Sequence, residues 1–224
     1  MYRLLALLIG YAIGSIQTAY IVGKSSGIDI RDYGSKNAGM TNVTRTLGKK
    51  AGAFVFVADI LKGISAFVIA TLIFSDACAF WWFRCRCTPF VEYGMVETRL
   101  HFLRHILPGI YAGLGAVLGH CFPVWLKFRG GKGVSSTLGL IVMIDPIVAL
   151  IAFGAGFVAV AATRYISLAS LVITLLVPIL MIFSGFEIEA VALMAGVAAL
   201  IWFLHRENIK RLISGNERKF LSKK

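Results

Sequence analysis

Three polar stretches in this chain carry residue types suited to holding an anion. Residues 126–139 read LKFRGGKGVSSTLG, with three cations (Lys127, Arg129, Lys132), four glycines and three hydroxyls. Glycines permit close backbone approach and positive φ. Gly130, Gly131 and Gly133 flank Lys132 just before a helix expected to begin near Val134, whose first N–H groups face any anion there. Residues 24–50 read KSSGIDIRDYGSKNAGMTNVTRTLGKK, where Ser35, Asn37, Thr41, Asn42 and Arg45 supply donors in a short span. Donors near a helix start, reinforced by an arginine, bind phosphate well. The tail opens HRENIKRL, and helical spacing puts His205, Asn208 and Leu212 on one face. His205 and Asn208 can then donate toward one point. The plainer readings are a loop that obeys the membrane charge rule and a basic helix lying on anionic headgroups.

Several other chemistries do not fit. A nucleotide P-loop needs Ser or Thr directly after Gly-Lys, and here Gly133 follows Lys132. No Ser-His-Asp set is visible, and no acidic cluster suits a metal. Asp does not follow any of His101, His105, His120 or His205 at five residues, which excludes a His-x4-Asp site. No cofactor is expected.

The elements that must position these residues are membrane helices. Of 224 residues, 58% are hydrophobic and 15% are charged. A soluble domain carries about 25% charged residues. The net charge of +12 would suggest nucleic acid in a soluble protein. Here the cations cluster between apolar segments, which points to membrane orientation and anionic lipid or substrate, not nucleic acid. Apolar segments lie at 4–23, 51–74, 106–126, 134–144, 146–163, 167–184 and 187–204. The first resembles a signal peptide, but its apolar run continues to Gly23 without a clean cleavage site, so it reads as a membrane helix.

Charge then orients the chain. Loop 24–50 holds six cations, loop 127–133 three, and the tail 205–224 seven. The positive-inside rule wants all three in the cytoplasm. The block 134–163 must therefore cross an even number of times, as two helices turning at Asp145-Pro146. The expectation is an all-α integral membrane protein, a single membrane domain over 1–224. It has seven transmembrane helices, some short or re-entrant, with the N-terminus outside and the C-terminus cytoplasmic. Residues 75–105 become an extracytoplasmic insertion. Phe80, Trp81, Trp82 and Phe83 there read as an interfacial aromatic belt. Cys78, Cys85, Cys87 and Cys121 read as unpaired thiols, with a disulfide open if 75–105 faces an oxidising compartment.

Asp59 and Lys62 sit inside a membrane segment, where ions are costly and are either functional or paired. At i,i+3 they can pair with each other. Arg164, Tyr165, Ser167 and Ser170 follow near the cytoplasmic side. Ser170 can face the site or simply pack between helices. Asn42-Val43-Thr44 forms a glycosylation sequon that the cytoplasmic assignment discounts.

Three stretches taken together resemble the bacterial acyl-phosphate:glycerol-3-phosphate acyltransferases: GSIQTAYIVGKSSGIDIRDYGSKNAGMTNVTRTLGKKAG (14–52), GHCFPVWLKFRGGKGVSSTLG (119–139) and HRENIKRLISGNE (205–217). The resemblance covers nearly the whole chain except about 75–105, where the family connection is usually short. It implies a seven-helix enzyme of the bacterial inner membrane with its active site on the cytoplasmic face. Its reaction moves a fatty acyl group from acyl phosphate to the 1-hydroxyl of glycerol-3-phosphate, giving lysophosphatidate and phosphate in the first step of phospholipid synthesis. Acyl-CoA is not the implied donor, and no metal is implied. The implied partners are glycerol-3-phosphate, acyl phosphate and membrane lipids. Nothing in the sequence sets the oligomeric state, and a monomer is expected. By resemblance, Ser35, Asn37, Thr41, Asn42, Arg45, Lys132, Ser170, His205 and Asn208 line the site. The competing class is a membrane transporter of a phosphorylated solute, which broken helices and cationic loops would also suit.

Overall fold

A computed structural model describes residues 1–75 and 95–220, with side chains described outside 95–105. Among the described residues the chain is all-helical. Its helices are α1 (Tyr2–Gly14), α2 (Thr18–Ser25), α3 (Met40–Leu47), α4 (Lys49–Phe74), α5 (Met95–Cys121), α6 (Val134–Ile144), α7 (Pro146–Thr163), α8 (Ile166–Phe183), α9 (Ile188–Leu204) and α10 (Arg206–Ile213). The aromatic run Phe80–Phe83 and Cys78, Cys85 and Cys87 lie outside the described residues. Cys121 is a buried free thiol.

Of the seven expected spans, five are long and apolar enough to cross a membrane: Tyr2–Ser25, Lys49–Phe74, Ile106–Leu126, Pro146–Thr163 and Ile166–Phe183. Helix α9 qualifies only together with α10, across a 62° bend. Helix α6 has 11 residues, about 16 Å at 1.5 Å per residue, against a hydrocarbon core of about 30 Å. The turn at Asp145 forms where the sequence placed it. The Asp145 carboxylate accepts from the N–H groups of Ile147 (2.7 Å) and Val148 (3.1 Å). Pro146, which has no N–H to satisfy, opens α7.

The first apolar segment is not the single helix that its continuous hydrophobicity suggests. It breaks at Ser15–Gln17, between α1 and α2. A break inside a bilayer strands backbone carbonyls unless the protein answers them. Trp125 Nε1 donates to Ser15 O at 2.9 Å and Lys62 Nζ to Ile16 O at 3.0 Å. The partners are distant in sequence, so periodicity in residues 4–23 holds no trace of them.

Helix α1 packs on α5 through small residues. A Cβ at Gly10 or Gly14 would strike the backbone of Ala112 or Ala116, so the two helix backbones touch. Close backbone approach is the main means of helix association in lipid. A larger core joins α5, α6, α8 and α9 through Ile110, Leu140, Ile141, Met181, Met194 and Ile201, all buried. Leu150, Phe157 and Phe183 point outward and are exposed, as lipid-facing side chains must be. The polar segments collect at one end of this bundle, around one cavity.

Candidate active site

The cavity has a volume of about 740 Å³. Its first wall is the segment leading into α3. Asn42 builds that wall from behind. Its Nδ2 donates to Ile30 O (2.9 Å) and Tyr33 O (3.0 Å), and its Oδ1 accepts from Ser35 N (2.8 Å). Asn42 is 1% exposed and does not reach the cavity. Its side chain is committed to loop backbone, which corrects the expectation that it faces substrate. Ser35, Asn37, Thr41 and Arg45 do line the cavity. Thr41 and Arg45 share a face of α3 by their i,i+4 spacing.

The second wall is the glycine loop. Gly130 N donates to Cys121 O (3.2 Å) and Gly131 N to His120 O (3.0 Å). These two glycines therefore bond to the end of α5 and do not line the cavity, contrary to the expectation. A Cβ at Gly131 would collide with His120 and with Ala38 O, so their smallness serves close packing. Gly133 does line the cavity and holds φ +78° immediately before α6. Lys132 reaches across to donate to Asn208 Oδ1.

The third wall is the chain around His205, where α9 bends into α10. The His205 ring is buried, with Nδ1 2.8 Å from Ile201 O. A carbonyl only accepts, so Nδ1 carries the proton, and a neutral ring turns an Nε2 lone pair outward. The sequence suggests His205 as a donor beside Asn208; in this tautomer the ring donates only to Ile201 O and offers the cavity an Nε2 acceptor. Glu217, one of two acids in the basic tail, gathers this wall. It accepts from Asn208 Nδ2 (2.7 Å), Arg211 Nε (2.7 Å) and Ser167 Oγ (2.9 Å). Ser170 lines the cavity, and its hydroxyl donates to Ile166 O at 2.9 Å.

Positive charge dominates the lining. Lys36, Arg45, Lys132, Arg206, Arg211 and Arg218 face the cavity against Asp59, Glu207 and Glu217. Burial, with repulsion from Arg211 and Arg206, pulls the Lys132 ammonium down to about 8, against the pull of Glu217. Burial and Arg218 also lower Arg45. Burial alone would raise Glu217, but hydrogen bonds from Arg211, Asn208 and Ser167 outweigh it and hold the carboxyl below its ordinary value. Crowded cations with lowered pKa are the electrostatic form of a site built to receive an anion.

The apolar part of the lining includes Phe56, Leu138, Ile173 and Leu204, from four different helices. One cavity thus joins a cationic, hydrogen-bonding mouth to an apolar wall. Asp59 and His120 line it too, and sequence reasoning did not bring His120 to the site. Nothing local marks that histidine, because its partners come from α4 and from the α1–α2 break.

Residues 4–215 match the family model described as glycerol-3-phosphate acyltransferase. The chain is similar to the glycerol-3-phosphate acyltransferase of Clostridioides difficile (strain 630), with 38% identity over 217 residues, 96% of this chain and 94% of that one. It is 36% identical to the Aquifex aeolicus (strain VF5) glycerol-3-phosphate acyltransferase over 220 residues, covering 98% of this chain and 100% of that one. Its fold resembles crystal structures of PlsY (YgiH), an integral membrane glycerol 3-phosphate acyltransferase. The glycerol 3-phosphate form matches with a TM-score of 0.79 at 35% identity, over 98% of this chain and 96% of that one. The lysophosphatidic acid form matches with a TM-score of 0.76 at 34% identity, over 98% and 95%.

Proposed function

Since this chain belongs to the glycerol-3-phosphate acyltransferase family, we propose that it moves a fatty acyl group from acyl phosphate to the 1-hydroxyl of glycerol-3-phosphate. The products are lysophosphatidate and inorganic phosphate. The observation that carries this reading is the convergence of Lys132, Arg45, Ser35, His205 and Asn208 on a cavity that also has an apolar wall. Two phosphate-bearing substrates need cations and donors, and a fatty chain needs the wall.

Lys132 and Arg45 neutralise phosphate charge, while Ser35, Asn37, Thr41 and the backbone around Gly133 orient it. The 1-hydroxyl oxygen attacks the acyl carbonyl carbon and the bond from that carbon to the phosphate oxygen breaks. The departing phosphate takes the hydroxyl proton, so no protein base is needed. His205 Nε2 accepts from a substrate hydroxyl and aims it, with Asn208 beside it. Catalysis then rests on proximity and charge stabilisation.

The membrane placement follows the cations. Loop 24–50, loop 127–133 and the tail lie in the cytoplasm of a bacterium, with the N-terminus outside. Helix α6 makes the short fourth of seven crossings in the inner membrane, and the cavity opens on the cytoplasmic face. A transporter would need access from both faces, and the polar lining gathers at one end.

The test is acyl transfer by the purified chain in lipid, with acyl phosphate, acyl-CoA and acyl carrier protein compared as donors. Lysophosphatidate from acyl phosphate alone is the expected result. Transfer from acyl-CoA instead would overturn the donor assignment, and transfer from none would sink the reaction.

A further inference from the structure

Beneath the glycine loop lies a second polar group that the proposed reaction does not use. Asp59 and Lys62 on α4 and His120 on α5 are 1%, 7% and 3% exposed. Lys62 Nζ lies 2.8 Å from Asp59 Oδ1 and 2.8 Å from His120 Nδ1, and it donates to Ile16 O at 3.0 Å. An ammonium has three donors and no acceptor, and here it forms an ion pair with Asp59 and hydrogen bonds to Ile16 O and His120 Nδ1. His120 Nδ1 must therefore offer its lone pair, which places the ring proton on Nε2 of a neutral imidazole.

The backbone of the same histidine ties down the loop. His120 O accepts from Gly131 N at 3.0 Å and from Gln17 Nε2 at 2.8 Å, while Cys121 O accepts from Gly130 N at 3.2 Å. The His120 ring also abuts Gly131, where a Cβ would strike Nε2. One ammonium thus holds the ring and the α1–α2 break, and the ring and carbonyl beside it hold the loop that carries Lys132.

We propose that Asp59, Lys62 and His120 form a positioning unit that fixes the course of residues 130–133, and through it the place of the Lys132 ammonium in the cavity. A buried charged pair costs desolvation that an apolar pair of the same size would avoid. Its return here is geometric: the ammonium ties its own helix α4 to α5 and to the α1–α2 break, which no apolar side chain can do. The role of Lys132 in this inference rests on the phosphate-cradle reading above. The loop tether itself does not.

The test uses the full chain in lipid nanodiscs, as wild type, Lys62→Met and the double variant Asp59→Asn with Lys62→Met. The double variant leaves no lone buried charge, so it remains informative if Lys62→Met fails to fold. The first readout is hydrogen–deuterium exchange of the segment holding the amides of Gly130 and Gly131. We expect it to quicken at least about tenfold while α7 and α8 stay unchanged. The second is the split between KM and kcat for acyl transfer. We expect KM for glycerol-3-phosphate to rise about tenfold or more, because a displaced cation weakens binding and misaligned groups slow chemistry. A purely structural loss would lower the active fraction and leave KM in place. If the double variant folds and both the exchange of this segment and KM stay within about twofold of wild type, the proposal is overturned. An inactive wild type would sink the reaction and leave the exchange measurement to judge the tether.

Discussion

Lys132 donates to Asn208, closing the cavity between the glycine loop and the helix that follows the last long apolar segment. Asn208 in turn donates to Glu217 at 2.7 Å, and Glu217 pairs with Arg211 at 2.7 Å. The lysine therefore reaches the cavity already aimed; in the proposed reaction, substrate phosphate would replace Asn208 as its acceptor.

Removing that lysine should hurt most. Lys132→Ala is expected to lower kcat/KM by about 100- to 1000-fold, the usual loss for a preorganised charge on a reacting phosphate or oxyanion. His205→Gln keeps a polar acceptor and should lose only about tenfold, well short of a missing general base. Steady-state kinetics on both variants checks this. If His205→Gln were as inactive as Lys132→Ala, and its pH profile lost an ionisation, His205 would be the base and the substrate-assisted scheme would fail.

The depressed Lys132 pKa gives a pH signature. With the ammonium falling to about 8 in the unliganded site, kcat/KM should decline as pH rises through that value. Lys132→Arg, whose guanidinium stays charged, should be less active at neutral pH but should keep its activity to at least about pH 9.5. The stability effect has the opposite sense. The folded pKa lies below the ordinary 10.5, so the unfolded chain binds more protons between those values and stability rises with pH across that window. Identical alkaline limbs in wild type and Lys132→Arg would contradict the assignment.

Glu217→Gln should move the same limb to lower pH. The Glu217 carboxylate raises the Lys132 pKa, and neutralising it leaves the repulsion from Arg211 and Arg206 unopposed. Asn208 also loses a charged partner, so kcat/KM at neutral pH should fall about tenfold through misorientation. A pH profile that drops in height without shifting would show that Glu217 acts on geometry alone.

Asn42 offers a separation of roles. Asn42→Asp preserves an acceptor for Ser35 N but cannot donate to Ile30 O or Tyr33 O. Each buried partner left unsatisfied costs about 1–3 kcal/mol. The melting temperature should drop, and the Ser35 loop should loosen although Asn42 never touches the cavity. A thermal melt in lipid with exchange of residues 30–37 checks this; an unaltered melt and a tight loop would refute it.

The sequence was most legible where the physics is local. Helices α6 and α7 match the segments read at 134–144 and 146–163, because Gly133 and Asp145-Pro146 are short-range punctuation. Lys132, Arg45 and His205 were legible as cations or donors in polar stretches set between apolar segments. The break at Ser15–Gln17 was not, since the carbonyls it frees are answered by Lys62 and Trp125. Asn42 and Asn37 look alike in the sequence, yet only the fold sends one inward to the backbone and the other to the cavity. The spacing of Gly130 and Gly131 beside Lys132 suggests an anion cradle, but their partner is the end of α5, a contact that no spacing rule encodes.

The backbone contact of Gly10 and Gly14 with Ala112 and Ala116 has a consequence for how the chain is made. Helix α1 is synthesised before α5, and its matching surface is complete only after residue 119 has been made. Until then its glycine stripe faces lipid or the insertion machinery, and it finds its neighbour by lateral diffusion. Assembly of this bundle must therefore close from its two sequence-distant halves.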